Sequence, residues 1–226
     1  SRPTTLKQRF RSDGKTLLRV SHLQQHTISN NIQKKIIKSV SKIIKTCNLI
    51  MLSDFNYGLL PQDLVEKIIE IANENNVMIT ADSQSSSQTG NIARFHSMDL
   101  IVPTEREARI SLRNNEDGLV VTANKILEAS KAKNLILKLG EEGVLIEEAR
   151  TEKKVDIFTD KLEALSKNAI DVAGGGDSLF VGSSLSLVCG SSIWEAALIG
   201  SVMSSIQVGR IGNVPIKSKE LLEAIV

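Results

Sequence analysis

Aromatic residues are nearly missing from this 226-residue chain, which has one Trp, one Tyr and five Phe. With so few, and none interleaved among basic residues, there is no platform on which nucleic-acid bases would stack, and nucleic acid is not expected as a partner. Cysteine is as sparse. Cys47 and Cys189 lie far apart in apolar surroundings, which reads as two free, buried thiols in a reducing, cytoplasmic compartment rather than a disulfide framework. Four prolines, 41% hydrophobic and 24% charged residues exclude a disordered or collagen-like chain and leave ample apolar side chain for a core. Nor is there a long apolar run. Between Ser178 and Gly209 the one charge is Glu195, but Gly182, Ser183, Ser184, Ser186, Gly190, Ser191 and Ser192 interrupt the apolar residues. Neither half reaches the ~20 continuous apolar residues of a membrane span, so two helices packed on a sheet are expected and no membrane partner. The chain opens Ser1-Arg2-Pro3 with neither Met nor a secretory pattern, as a processed product or a fragment would.

What is present is first of all uneven charge. The net charge is +2, yet residues 1–45 hold eleven Lys/Arg against one acid, Asp13, and the remainder seventeen against twenty-five. In the opening segment Lys7, Arg9 and Arg11 alternate with Leu6 and Phe10, so the cations would share one face of a strand. Asp13-Gly14 is a hairpin signal, with Leu17-Leu18-Arg19-Val20 as the returning strand. Ile32, Ile36, Val40, Ile43 and Ile44 recur at helical spacing between Ser29 and Thr46.

Beyond Thr46 short apolar runs alternate with amphipathic segments. A buried strand is expected at Leu49–Leu52, ending at Ser53-Asp54, and further strands at Val77–Thr80, Leu100–Val102, Leu135–Leu139 and Val144–Glu147. Helices are expected from Pro61 to about Asn75, at Glu105–Leu112 and Val120–Ala132, and near 176–189, 192–208 and 218–225. Such alternation implies βαβ crossovers and a largely parallel sheet with helices on both faces. The expectation is one α/β domain over 1–226, with a lid hairpin at 1–20 and an α/β core at 29–226.

The most informative segment is Asp171-Val172-Ala173-Gly174-Gly175-Gly176-Asp177-Ser178-Leu179-Phe180. Three successive glycines let the backbone turn tightly and aim several N–H groups at one point, and the helix that follows presents its N-terminus there. That is an anion site suited to phosphate. Asp177 then has two readings: it takes a proton from a group attacking the phosphate, or it favours the helix N-terminus as acids do. Neither a GxGxxG fingerprint nor a P-loop is present.

The segment resembles the D-T-x-G-A-G-D signature of the ribokinase-like (PfkB) carbohydrate kinases, with Gly175 where Ala is usual. Ser53-Asp54-Phe55-Asn56-Tyr57-Gly58 is similar to the S-D-Y-x-K-G of heptose-7-phosphate kinases. Pro103-Thr104-Glu105-Arg106-Glu107 resembles their P-N-x-x-E, and Lys138-Leu139-Gly140-Glu141-Glu142-Gly143 their T-L-G-x-x-G. Thr4-Thr5-Leu6-Lys7-Gln8-Arg9 and Leu17-Leu18-Arg19-Val20 resemble T-x-x-K-x-R and L-L-R-x-D. Order and spacing agree over essentially the whole chain.

The resemblance implies a three-layer α/β/α sandwich, ATP and Mg²⁺, with a monovalent cation as a further option, and a homodimer. It implies Gly174, Gly175 and Gly176 as the anion hole and Asp177 as the general base on a sugar hydroxyl. Glu107 would organise Mg²⁺ through water, with Thr104 beside the nucleotide phosphates and Lys138, Gly140 and Gly143 along the nucleotide. Apart from the resemblance, Lys7, Arg9 and Arg11 on one strand face, with Arg19 on the returning strand, would suit the second, non-reacting phosphate of a phosphosugar such as heptose 7-phosphate, and Asp54 would touch the sugar. Surface solvation or a subunit contact are the plainer readings of those cations. Thr104 stands for the family's Asn, Lys138 for Thr and Tyr57 for Lys. The family's N-terminal section, with its sugar-binding glycine turn, is not in this stretch, so a fragment or a site lacking half its sugar contacts is expected. The competing reading is a nucleotide- or sugar-binding module with weakened catalysis. His22, His26 and His96 lack metal-ligand spacing. Asp82, ending a strand, caps a loop or touches substrate, and Phe180 and Trp194 belong to the core.

Overall fold

The computed structural model describes residues 3–12, 15–84, 90–149, 159–166 and 168–225. Strands β1 (Leu6–Ser12) and β2 (Lys15–His22) pair antiparallel, Lys7 opposite Ser21, Arg9 opposite Arg19 and Phe10 opposite Leu18. The register shifts between Phe10 and Arg11, where the pairing passes over Leu17, an extra residue on β2. The Asp13-Gly14 turn and the side chains of Arg11 and Arg19 lie outside the described residues.

Six further strands form one sheet in sequence order: β3 (Leu49–Asp54), β4 (Met78–Ser83), β5 (Leu100–Ile101), β6 (Asn134–Lys138), β7 (Val144–Glu148) and β8 (Thr159–Leu162). Strands β3 to β6 run parallel, and β7 and β8 return antiparallel. The helices are α1 (Asn30–Ile43), α2 (Gln62–Glu74), α3 (Glu105–Leu112), α4 (Leu119–Ser130), α5 (Gly175–Val188), α6 (Ile193–Val208) and α7 (Ser218–Ile225). Right-handed crossovers between strands taken in order place their helices on one face. Side-chain alternation then divides the core. Ile79, Ile101, Leu135, Leu137 and Leu145 pack with α2 and α4, whereas Leu100, Val102, Ile136, Val144 and Ile146 pack with α5 and α6.

Three expectations are corrected. Leu49–Leu52 is not a fully buried strand: only Leu52 and Asp54 of β3 are buried, because the strand lies at the sheet's edge. Strand β8 has no counterpart in the periodicity reading, since Thr159-Asp160-Lys161-Leu162 is a charged edge strand. Nor are the two thiols buried. Cys47 is half-buried and Cys189, at the C-cap of α5, is exposed. Phe180 is buried and Trp194 packs half-buried beside it, as expected.

Helices α5 and α6 hold the apolar stretch that invited the membrane question, and no helix among the described residues is long and apolar enough to cross one. Ser192 and Glu195 cap α6 reciprocally, which accounts for the lone charge. The two helices approach closely. A Cβ on Gly200 would lie 2.2 Å from Ser183 Oγ and 2.7 Å from Leu179 O, and one on Gly182 would lie 3.0 Å from Gly200 Cα. Buried Ser184 Oγ donates to Thr80 Oγ1 at 3.0 Å, tying α5 to β4. Gly200→Ala therefore overpacks the crossing and is expected to lower stability by about 1–3 kcal/mol in denaturant unfolding; an unchanged midpoint contradicts this account of the contact.

Candidate active site

Strands β4, β5 and β6 end together, and in an open α/β sheet ligands bind outside those carboxyl ends. At that edge the structure gathers Asp82, Thr104, Glu107, Lys138 and the turn from Gly174 to Asp177. Thr104 and Lys138 are bridged directly across the ends of their strands.

The glycine turn is held from below. Asp171 accepts hydrogen bonds from Ala173 N and Gly212 N, both at 3.1 Å, and Gln207 Nε2 donates to Gly212 O at 2.8 Å. Gly174 has φ +81°, so conformation requires glycine, and the Asn213 side chain lies over it, its Oδ1 2.6 Å from where a Cβ would stand. Gly175 is different: it opens α5 without a positive φ, and its Cβ would lie 2.7 Å from Val208 Cγ1. Packing against α6 thus explains why Gly replaces the Ala usual in the signature. No side chain among the described residues caps α5; Gly175 N donates to Val172 O at 3.3 Å, and the amides that follow it, with the positive dipole end, suit an anion. Neighbouring α3 spends its own N-terminus internally. Thr104 Oγ1 accepts from Glu107 N, and Glu107 Oε2 accepts from Thr104 N at 2.7 Å. The Thr-x-x-Glu spacing is itself a capping-box signal in the sequence, beside the nucleotide role that the resemblance implies for these two residues.

Asp177, half-buried in the first turn of α5, accepts a 2.8 Å hydrogen bond at Oδ1 from Gln84 Nε2. Gln84 is itself clamped, its N donating to Asp54 O at 2.8 Å and its O accepting from Asn56 Nδ2 at 3.1 Å. Asp54, 3% exposed, accepts from Arg94 Nη2 at 2.6 Å and from Asn56 N at 3.0 Å. A chain of contacts therefore runs from Arg94 through Asp54 and Gln84 to Asp177. Gln84 and Arg94 carry no sequence signal, because nothing local marks a partner 93 or 40 residues away.

Lys138 Nζ pairs with Asp82 Oδ1 at 3.0 Å. Burial pushes the Asp82 carboxyl up to about 6, against the pull of Lys138, and the charges of Glu107 and Asp177 push the same way. No group of three His, Cys, Asp or Glu among the described residues is spaced to cage a metal. However, Asp82 Oδ2 is a buried oxygen without a hydrogen-bond partner among the described residues, and the charges of Glu107 and Asp177 reach it. Such an oxygen-rich edge fits Mg²⁺, which keeps several waters and uses few protein ligands.

Beside the turn a cavity of about 230 Å³ opens, lined by Gly140 and Gly143 on one side and by Val172, Leu179 and Val208 on the other. Gly143, with φ +90°, lets Leu162 O of β8 approach to where a Cβ would lie 2.1 Å away. Lys7 and Arg9 lie apart from this cavity, on the hairpin. Lys7 Nζ sits 4.2 Å and 4.9 Å from the ring centroids of Phe55 and Tyr57, and Arg9 is exposed.

Residues 16–219 match the description pfkB family carbohydrate kinase. The chain belongs to this family. Among similar curated proteins, the bifunctional protein HldE of a Nitratiruptor species is 26% identical over 226 residues, 99% of this chain and 46% of that protein. HldE of Sulfurimonas denitrificans is 24% identical, over 98% of this chain and 45% of its own. The chain thus spans about half the length of these curated relatives. In fold it is similar to ribokinase from Giardia lamblia, with TM-score 0.74 and 17% identity over 98% of this chain and 72% of that one. Phosphofructokinase-2 from Escherichia coli gives TM-score 0.73 and 14% identity over 92% and 65%. The α/β sandwich with a mostly parallel sheet is therefore the pfkB-family architecture.

Arg94→Ala leaves the Asp54 carboxylate buried without its guanidinium and is expected to cost about 3 kcal/mol in denaturant unfolding. Adding Asp54→Asn recovers most of that loss; equal losses in the single and double variants would rule out a charge effect.

Proposed function

We propose that this chain is the catalytic core of an ATP-dependent sugar kinase acting on a phosphosugar of the heptose 7-phosphate class. The observation that carries the reading is Asp177, held by Gln84 beside the uncapped glycine turn and the cavity next to it. The apolar walls from Val172, Leu179 and Val208 suit a planar base. The triphosphate then reaches toward the first turn of α5, where amides and dipole stabilise charge on the transferring group.

With Oδ1 held by Gln84, Asp177 presents its second oxygen to the sugar hydroxyl. It takes the hydroxyl proton as the sugar oxygen bonds to the terminal phosphorus, and the bond from that phosphorus to its bridging oxygen breaks, releasing ADP. Mg²⁺, when bound, neutralises charge on the triphosphate. Glu107, through water, is the residue that would hold it, and Thr104 flanks the phosphates. The whole domain, with the hairpin as lid, is read as one catalytic unit of a cytoplasmic enzyme. Leu6, Phe10, Leu17 and Leu18 are exposed on a two-stranded ribbon, which is marginal alone; a second copy covering that face makes a homodimer.

One observation favours the second reading, a binding module with weakened catalysis: Tyr57 stacks on Phe55, ring centroids 6.1 Å apart, where the heptose kinases carry Lys. Asp177→Asn separates the two. In the full-length protein it is expected to cut kcat by about 100-fold or more with nucleotide affinity nearly unchanged. A variant that keeps most of its turnover removes Asp177 as the base, and a parent protein without turnover favours the module.

Lys7 supplies from the hairpin a positive charge above the aromatic pair, a geometry that holds an ammonium in place for an anion. Lys7→Ala and Arg9→Ala are accordingly expected to raise KM for the phosphosugar while sparing KM for ATP. Equal effects on an unphosphorylated sugar would make the hairpin a structural or subunit contact instead.

A further inference from the structure

We propose that Asp82 is a positioning residue, whose buried carboxylate holds Lys138 Nζ against the first turn of α5 so that the ammonium grips the terminal phosphates of the bound nucleotide. The proposal rests on the kinase reading of this site. It adds a phosphate-contacting cation and the residue that aims it.

The geometry is specific. Asp82 is the penultimate residue of β4 and Lys138 ends β6, two strand spacings, or roughly 10 Å, apart. Between them the chain runs on from β5 (Leu100–Ile101) to Thr104, with Val102 N donating to Ala81 O at 3.1 Å and Lys138 N to Pro103 O at 2.8 Å. Both side chains fall on the α5 face, in the alternation that also puts Thr80 and Ile136 there. Over that segment Lys138 Nζ reaches Asp82 Oδ1 at 3.0 Å, with the side chains 13% and 1% exposed. The ammonium is also lodged against the glycine turn: a Cβ on Gly176 would lie 3.4 Å from Lys138 Nζ. Gly176 immediately precedes Asp177.

Electrostatics makes this an unusual place for a cation. The N-terminal end of a helix carries partial positive charge and offers donors, so an ammonium there is disfavoured by the dipole and finds no acceptor in the helix. Asp82 supplies the compensating charge from the sheet. The pair is poorly built for stability alone, since Asp82 Oδ2 stays buried without a partner among the described residues and buried ion pairs contribute little net stability. The charges of Glu107 and Asp177 both act on Asp82 here. A polyanion entering among them needs a fixed positive charge beside the first turn of α5, and Lys138 is where the structure puts one. Lys138 also lines the cavity, so it stands between the site of the base and the residue read as the catalytic base.

The test is calorimetric binding of Mg²⁺-ATP, ADP and AMP to the purified chain and to Lys138→Met, Lys138→Arg, Asp82→Asn and the Lys138→Met/Asp82→Asn double variant, each checked for folding by circular dichroism. Loss of a charge-assisted contact is worth about a factor of ten or more, so Lys138→Met should weaken ATP by at least about that factor and leave AMP unchanged. Lys138→Arg should retain ATP affinity within about threefold, because it keeps the charge. Asp82→Asn should weaken ATP without affecting AMP, and the double variant should be no worse than Lys138→Met, the non-additivity expected when one residue acts through the other. The double variant also leaves no unpaired charge, so it remains informative if either single variant folds poorly. Undiminished ATP affinity in Lys138→Met overturns the grip. Additive losses, or an equal loss for AMP in Asp82→Asn, overturn the positioning role. A parent chain that binds none of the three nucleotides overturns the kinase reading itself and the proposal with it.

Discussion

Ser183 Oγ and Leu179 O leave no room for even a methyl group on Gly200, and that close approach of α5 to α6 sets the position of everything at the carboxyl end of the sheet. Because the helices nearly touch at Gly182 and Gly200, Val208 at the far end of α6 comes up against Gly175, the first residue of α5. The turn before α5 is in turn pinned by Asp171 and Gln207. Its location is thus a consequence of helix packing, with the Ser184–Thr80 hydrogen bond tying the arrangement to the sheet. A helix free to slide by one residue would move both the anion-binding amides and Asp177 away from the strand ends.

On that frame the charged groups form two lines that meet at the first turn of α5. One comes from the edge of the sheet, where Arg94 neutralises Asp54 and Gln84 carries the restraint to Asp177. The other crosses from β4 to β6, where Asp82 pairs with Lys138. Each uses a buried carboxylate to fix a longer polar side chain, which limits the rotamer freedom that a group aligned for phosphoryl transfer must give up. The capping box of α3 completes the division of labour: α3 satisfies its own N-terminus, and α5 keeps its own open.

The elements whose physics is local were legible in advance. Helical spacing placed α1 to α7 to within a few residues, and alternating apolar runs placed β3 to β7. The glycine turn was legible as a tight backbone turn because glycine's missing side chain is itself the signal. Strand β8 escaped because an edge strand half in solvent needs no apolar alternation, and the reversal of β7 and β8 escaped because strand direction leaves no mark on periodicity. Within the site, Gly175 reads as a conformational glycine in the sequence but serves packing in the structure, while Gly174 next to it has the positive φ.

The sequence by itself determined the class of fold, the glycine turn with its acid, and the family to which both belong, since each is written in contiguous residues or fixed spacings. Which side chains complete the site was decided only by the tertiary structure. Gln84 meets Asp177, Arg94 meets Asp54 and Lys138 meets Asp82 across separations of 93, 40 and 56 residues. Those meetings depend on the order of strands in the sheet. Pairing between distant segments is settled by burying apolar faces, and the polar partners at the strand ends are carried into register by that burial.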